Sequence, residues 1–188
     1  LSNRDVFRVT GPDRLGWLHS LTTQHLTDLA PHMWTDVLIL TPQGRIEHAF
    51  SGFDDGETFW AHTEPQAGEA LVGWLDKMRF MSQVEVALEP QLSVISRWKD
   101  GVLTWEIVDN VGLLEGTPAG ILAHEALRIE SHLPRFGFDT DDRTIPNEVG
   151  LLNSAVHLNK GCYRGQETVA RVHNLGRPPR RLVMLNID

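Results

Sequence analysis

The stretch Lys160-Gly161-Cys162-Tyr163-Arg164-Gly165-Gln166-Glu167 holds the single cysteine of a 188-residue chain. A thiolate is a nucleophile, a metal ligand and a redox group, and an unperturbed cysteine has a pKa of about 8.5. Lys160 and Arg164 stand on either side and would favour the thiolate if their charges reach the sulfur. Gly161 and Gly165 permit close backbone approach or positive φ. Several N–H groups could then point at one anionic centre. Tyr163 adds an aromatic face and a hydroxyl, while Gln166 and Glu167 add an amide and a carboxylate. Four readings stay open for the cysteine: nucleophile, ligand, redox thiol, or a small residue buried in a tight turn.

Several chemistries are disfavoured. The histidines nearest in sequence are His157 and His173, and no cysteine-hydrolase signature surrounds Cys162. One cysteine with scattered histidines has no zinc spacing, so no metal site of the chain's own is expected. A thiolate shared with a cluster held by a partner remains open. No phosphate-binding loop or dinucleotide fingerprint occurs.

The charge is uneven. Lys160, Arg164, Arg171, Arg177, Arg180 and Arg181 face only Glu167 in their stretch, although the chain carries a net charge of −8. Such a reversal suits a discrete anionic ligand or a small docking site, and equally a solvated loop. The acidic whole argues against a coat for nucleic acid, so direct nucleic-acid binding is not expected. One cysteine cannot close an intrachain disulfide, which fits a reducing cytosol. No apolar run reaches the roughly 18 residues of a membrane span, and no signal peptide opens the chain. The missing initiator Met leads us to expect residues upstream of Leu1.

The elements that must position these residues alternate between strand and helix patterns. Asp5 to Gly11 reads as a strand, and Thr10 as the N-cap of a helix running through Leu15, Leu18 and Leu21 into Leu26. Trp34 to Leu40 and Arg45 to Phe53 form a hairpin, with Pro42 and Gly44 in a type I turn. After a strand near Phe59, Thr63 caps a helix with Leu71, Trp74, Leu75 and Met78 at i, i+3, i+4, i+7. A strand then follows near Val84 to Leu88. A second hairpin turns at Lys99-Asp100-Gly101. Pro118 to Ser131 reads as a helix with Leu122, Ala126 and Ile129 inward, and residues 134 to 150 as a long polar loop. The passage from Val108 to Gly120 has little turn chemistry, so we expect a mobile segment missing around residues 109 to 118. The fold class is α+β, in two similar halves: 1–90, and 91–188 carrying the Cys162 loop.

At the Cys162 loop the chain resembles the YgfZ-type folate-binding proteins, relatives of the glycine-cleavage T-protein (aminomethyltransferase). Their signature is Lys-Gly-Cys-Tyr-x-Gly-Gln-Glu, matched here by Lys160, Gly161, Cys162, Tyr163, Gly165, Gln166 and Glu167. Residues 9–26, 40–50, 127–139, 144–149 and 167–185 resemble family segments in the same order. The resemblance implies pseudo-symmetric α+β domains around a central cavity for tetrahydrofolate or a derivative. A C-terminal β-barrel usual in the family is expected to be absent or truncated. It also implies cytoplasmic work in the assembly or repair of iron–sulfur proteins, including enzymes that modify tRNA. Partners would be a folate, iron–sulfur proteins or their assembly factors, and no membrane. In the T-protein relatives the glutamate of an Arg-x-Glu segment contacts the pterin, and Arg128-Ile129-Glu130 matches it. Glu130, Arg128 and Arg164 are therefore the expected folate contacts, and Cys162 the redox or ligand-exchange thiol. The aminomethyltransferases use an aspartate after the hairpin turn, where this chain has Glu47 and His48. A one-carbon transferase would need Glu47 or His48 as its acid or base. A non-catalytic folate-sensing module docking through residues 160–181 is the third expectation.

Overall fold

A computed structural model describes residues 3–113 and 118–185. Residues 114–117, within the stretch expected to lack a segment, lie outside the described residues. The strands are β1 (Asp5–Thr10), β2 (Thr35–Leu40), β3 (Ile46–Asp54), β4 (Thr58–Thr63), β5 (Glu85–Leu88), β6 (Ser93–Lys99) and β7 (Val102–Val108). The helices are α1 (Arg14–Leu21), α2 (Gly68–Lys77), α3 (Ile121–Glu130), α4 (Leu152–Ala155) and α5 (Gln166–Leu175). Antiparallel pairing builds one sheet in the order β2-β3-β4-β1-β5, while β6 and β7 form a separate hairpin. No helix among the described residues is long and apolar enough to cross a membrane.

Strand β2 lies between two hydrophobic cores. Its run Val37-Leu38-Ile39-Leu40 is buried on both faces, because side chains alternate across a strand. Val37 and Ile39 join Phe7, Phe50, Phe59, Leu71 and Leu75 in a core against α1 and α2. Leu38 and Leu40 join Ile46, Val149, Ala155, Val156, Tyr163 and Val169 in a second core, which packs distant sequence onto the back of the sheet.

Both expected hairpins form, and the first closes through the N–H of Gly44 on the carbonyl of Thr41 at 2.9 Å. The helix starts differ from expectation. Helix α1 begins after Asp13, whose carboxylate accepts the N–H of Gln83 instead of capping, and Thr10 stays in β1. The helix stops at Leu21 because Thr22 is extended and the Thr23 hydroxyl donates to the carbonyl of Ala155 at 2.6 Å. Thr63 bonds the carbonyl of Ala49, and α2 starts only at Gly68, whose N–H is met by Asp5 at 2.8 Å. Helix α3 turns the other way: Leu122 is 81% exposed and Ile129 47%, while His124 and Arg128 are buried. Polar partners override the aliphatic stripe there, as His124 meets Ser96 and Trp98, and Arg128 meets Glu125 and Asp139. The long polar segment also becomes a scaffold, with Arg135, Thr144 and Glu148 buried in it.

The tip of the first hairpin seats on the Cys162 loop. Gly165 has φ +81, and a Cβ on it would lie 2.5 Å from the carbonyl oxygen of Thr41 and 2.8 Å from Gly44. Gly165→Ala should therefore destabilise the protein by about 1–3 kcal/mol, from left-handed backbone and steric clash together. Urea unfolding should show a lower midpoint with an unchanged slope; an unaltered midpoint contradicts the close approach.

Candidate functional site

The Cys162 loop is held in place residue by residue. The Lys160 ammonium donates to the carbonyls of His19, Thr22 (2.6 Å) and Gln24 (3.1 Å), at and just beyond the C-terminal end of α1. Those carbonyls have no partners within the helix and carry its negative end, so a cation is the natural cap. Burial pushes the Lys160 pKa down to about 8, which leaves it charged at neutral pH. Lys160 thus caps these carbonyls with its charge. The Tyr163 ring is buried in the second core, 5.3 Å from that ammonium. Burial raises its hydroxyl to about 12, so it stays protonated.

Arg164 pairs with Glu47 on β3 at 2.9 Å and lies 5.9 Å from the Trp74 ring. His48, also near Trp74 at 6.2 Å, is half-buried, and burial lowers its pKa. Gly165 is the left-handed residue before α5, Gln166 opens that helix, and Glu167 lies in its first turn, where a negative charge is favoured. Gly161 and Cys162 are exposed, and Cys162 makes no hydrogen bond among the described residues. The structure therefore brings Arg164, Glu47 and His48 together and leaves the thiol facing solvent.

The folate candidates fall elsewhere. Arg128 is buried in an alternating chain of charges: Arg4 to Glu64 at 2.9 Å, Glu64 to Arg135 at 2.8 Å, Arg135 to Glu125 at 2.9 Å, Glu125 to Arg128 at 2.6 Å and Arg128 to Asp139 at 2.7 Å. Removing one member would strand a buried charge. Glu130 stands exposed at the end of α3 with no partner among the described residues. Arg128 lines a cleft of about 190 Å³ with apolar walls from Ile129, Leu133, Val149 and Leu182, and with Asp139 and Glu148 as its carboxylates. A neighbouring cleft of about 460 Å³ shares Asp139 and Glu148 and adds Arg180 and Arg181. Glu130 and Arg164 line neither cleft.

Two histidines escaped the reading of the sequence. His62 is 1% exposed and packs between Trp34 (5.6 Å) and Trp105 (4.5 Å), with no partner for either ring nitrogen. Burial, and next the charge of Arg4, keep it neutral. The Trp98 indole N–H donates to His124 Nδ1 at 3.2 Å. An indole can only donate, so the proton of the neutral ring lies on Nε2. The period-two alternation of β4 was the available signal, because it sets His62 opposite the face of Phe59 and Ala61. Among the described residues no group of three or more His, Cys, Asp or Glu is placed to hold a metal ion.

No family model matches the chain. A chloroplastic protein of Arabidopsis thaliana, named provisionally as a transferase, is 42% identical over 240 aligned positions that take in all of this chain and 55% of that protein. An aminomethyltransferase of Symbiobacterium thermophilum is 34% identical over 97 residues, covering 50% of this chain and 25% of its own length. Among solved structures, the glycine cleavage system aminomethyltransferase T of Bartonella henselae matches with a TM-score of 0.74 at 14% identity, over 93% of this chain and 62% of that one. The chain thus spans about half of the plant relative and a quarter of the bacterial one. The fold is a mixed α+β fold similar to that of aminomethyltransferase T. In sequence the chain is thus similar to a provisionally named plant transferase and to bacterial aminomethyltransferases.

The buried imidazoles give a pH dependence with a definite sign. Burial, and next Arg4, push His124 from the ordinary 6.5 to about 4. Between those two values the unfolded chain takes up a proton that the folded protein refuses, so stability falls as pH drops through that window. Melting temperature should decline from pH 6.5 towards pH 4, and less steeply in His124→Gln. An identical pH profile in the variant contradicts the assignment.

Proposed function

We propose that the chain is a folate-binding, aminomethyltransferase-like protein of the YgfZ kind, acting in the assembly or repair of iron–sulfur proteins, tRNA-modifying enzymes among them. The observation that carries this reading is the division of labour in the Cys162 loop. Lys160, Tyr163, Arg164 and Gly165 hold the loop in place, while the thiol remains exposed. In this reading the folate site lies in the half 91–188, whose residues line both clefts, and client proteins or their assembly factors meet Cys162. The thiolate acts by ligand exchange, taking a place on an iron of the client's cluster and leaving it again, with no net electron transfer.

The paired clefts fit a folate in chemistry. Asp139 and Glu148 are acceptors for the pterin's amino and ring N–H groups, the apolar walls suit the ring, and Arg180 and Arg181 suit the anionic glutamate tail. Arg128 would orient the carboxylates, and Glu130, at the end of the same helix but outside both clefts, is the folate contact that the family resemblance implies. A bound tetrahydrofolate would supply a one-carbon carrier.

A second reading, a tetrahydrofolate-dependent aminomethyltransferase, is favoured by the half-buried His48 beside Glu47 and by the names of the bacterial relatives. There His48 would move the proton at the folate nitrogen.

Titration with tetrahydrofolate and its 5-formyl form, followed by tryptophan fluorescence, should show saturable quenching weakened about tenfold or more by Glu130→Ala. No binding by the folded protein ends both readings and leaves a docking module. Cys162→Ser should keep folate binding yet fail to restore iron–sulfur enzyme activity in a strain lacking the protein. Full rescue removes the thiol from the mechanism, and release of ammonia by the purified protein would establish the second reading.

A further inference from the structure

Three half-buried imidazoles meet beside the anchor of the Cys162 loop. His19 lies in the last turn of α1, His25 in the chain that follows it, and His157 just after α4. The His19 and His25 rings stand edge to face with centroids 4.7 Å apart, and the His25 and His157 rings are 5.1 Å apart. None of the three lines either cleft.

The backbone around each ring is tied to that anchor. The Lys160 ammonium donates to the carbonyls of His19, Thr22 and Gln24. The His157 N–H donates to the carbonyl of Thr23 at 2.9 Å, and the Lys160 N–H to the carbonyl of His157 at 3.4 Å. The cluster thus joins the end of α1, the chain that follows it and the approach to Cys162. His19 Nδ1 accepts the N–H of Leu26, a fully buried core residue, at 3.3 Å. An accepting ring nitrogen carries no proton, so the neutral His19 ring has its proton on Nε2. His25 Nε2 meets the Asp28 carboxylate at 3.1 Å and the Thr27 hydroxyl at 2.9 Å. His157 Nδ1 is buried with no hydrogen-bond partner among the described residues.

The surrounding charges leave little room for another proton. Lys160 already supplies one positive charge, and the carboxylate facing the rings is Asp28, whose side chain is exposed. A second proton on His19 must occupy Nδ1, which then cannot accept from Leu26. It also sets a cation next to Lys160 and against the rings of His25 and His157. Burial first, and the charge of Lys160 next, hold His19 below the ordinary imidazole value of 6.5. An opened chain therefore takes up the proton before the folded one does, and the hold weakens as pH falls below about 6.5.

We propose that His19, His25 and His157 form a proton-operated latch on the Cys162 loop. With neutral rings the loop stays seated on the end of α1. When His19 takes a proton it releases the N–H of Leu26 and repels Lys160, so the end of α1 and the Cys162 loop come free together. The thiol is then carried on a fixed loop at neutral pH and on a loosened one in mild acid. The inference rests on this seating alone; neither a folate nor a client cluster enters it.

Hydrogen–deuterium exchange at about pH 7.5 and about pH 5.5, corrected for the intrinsic chemical rate, tests the latch in the parent and in His19→Asn. The asparagine carbonyl can replace Nδ1 as the acceptor for Leu26 and takes up no proton in this range. Between the two pH values, protection at residues 19–26 and 157–162 should fall about tenfold further in the parent than in the variant. That is the factor for one imidazole that titrates near 6.5 only when the segment opens. His62 and His124 are present in both proteins, so their own pH dependence cancels. In the parent alone, NMR should show the His19 ring and the Leu26 amide shifting with one midpoint, below about 6.5. An equal loss of protection in both proteins, a loop released while the end of α1 stays protected, or a Leu26 amide that stays fixed while His19 titrates each overturns the proposal.

Discussion

A single buried ammonium holds the two ends of this structure together. Lys160 reaches back along more than 130 residues of sequence to the carbonyls at the end of α1. Helix α1 has eight residues and ends in extended chain, so its last carbonyls have no continuation to pair with. The cation satisfies them and in return fixes the loop that carries Cys162. The neighbouring contacts follow from that anchor: Thr23 ties to Ala155, Gly165 settles on the hairpin tip, and Arg164 meets Glu47. Remove the charge and three carbonyls, that of Thr22 fully buried, lose their donor at once.

A second polar network links Arg4 and Glu64 to α3 and the segment that follows it. Arg4, Glu64, Arg135, Glu125, Arg128 and Asp139 alternate in sign, so every buried charge has an opposite neighbour. Next to them His62 and His124 are kept neutral among tryptophans. This network of charges forms one connected unit. It also joins the clefts to the scaffold, since Arg128 and Asp139 belong to both.

The strand pattern was legible because period-two alternation and turn residues are local. Pro42 and Gly44 marked one hairpin and Gly101 the other, and both formed. The helix starts were not legible, because their partners are remote: Asp5 meets the N-terminus of α2 from 63 residues away, and no local cap betrays it. Helix α3 misled for a related reason. Its aliphatic stripe is the stronger periodic signal, yet His124 and Arg128 face inward because Trp98 and Asp139 wait for them. At the site, the glycines and cations of the Cys162 loop stood out in the sequence. Their division into holding residues and one exposed thiol did not, since the carbonyls that claim Lys160 lie in α1 and just beyond it.

The central claim is that Lys160 links the Cys162 loop to α1 as one cooperative unit. Hydrogen–deuterium exchange on Lys160→Met tests it most directly. The account predicts faster exchange both at residues 18–26 and at residues 156–170, with a loss of about 1–3 kcal/mol in stability. Faster exchange confined to the loop, with the end of α1 as protected as in the parent, would contradict it.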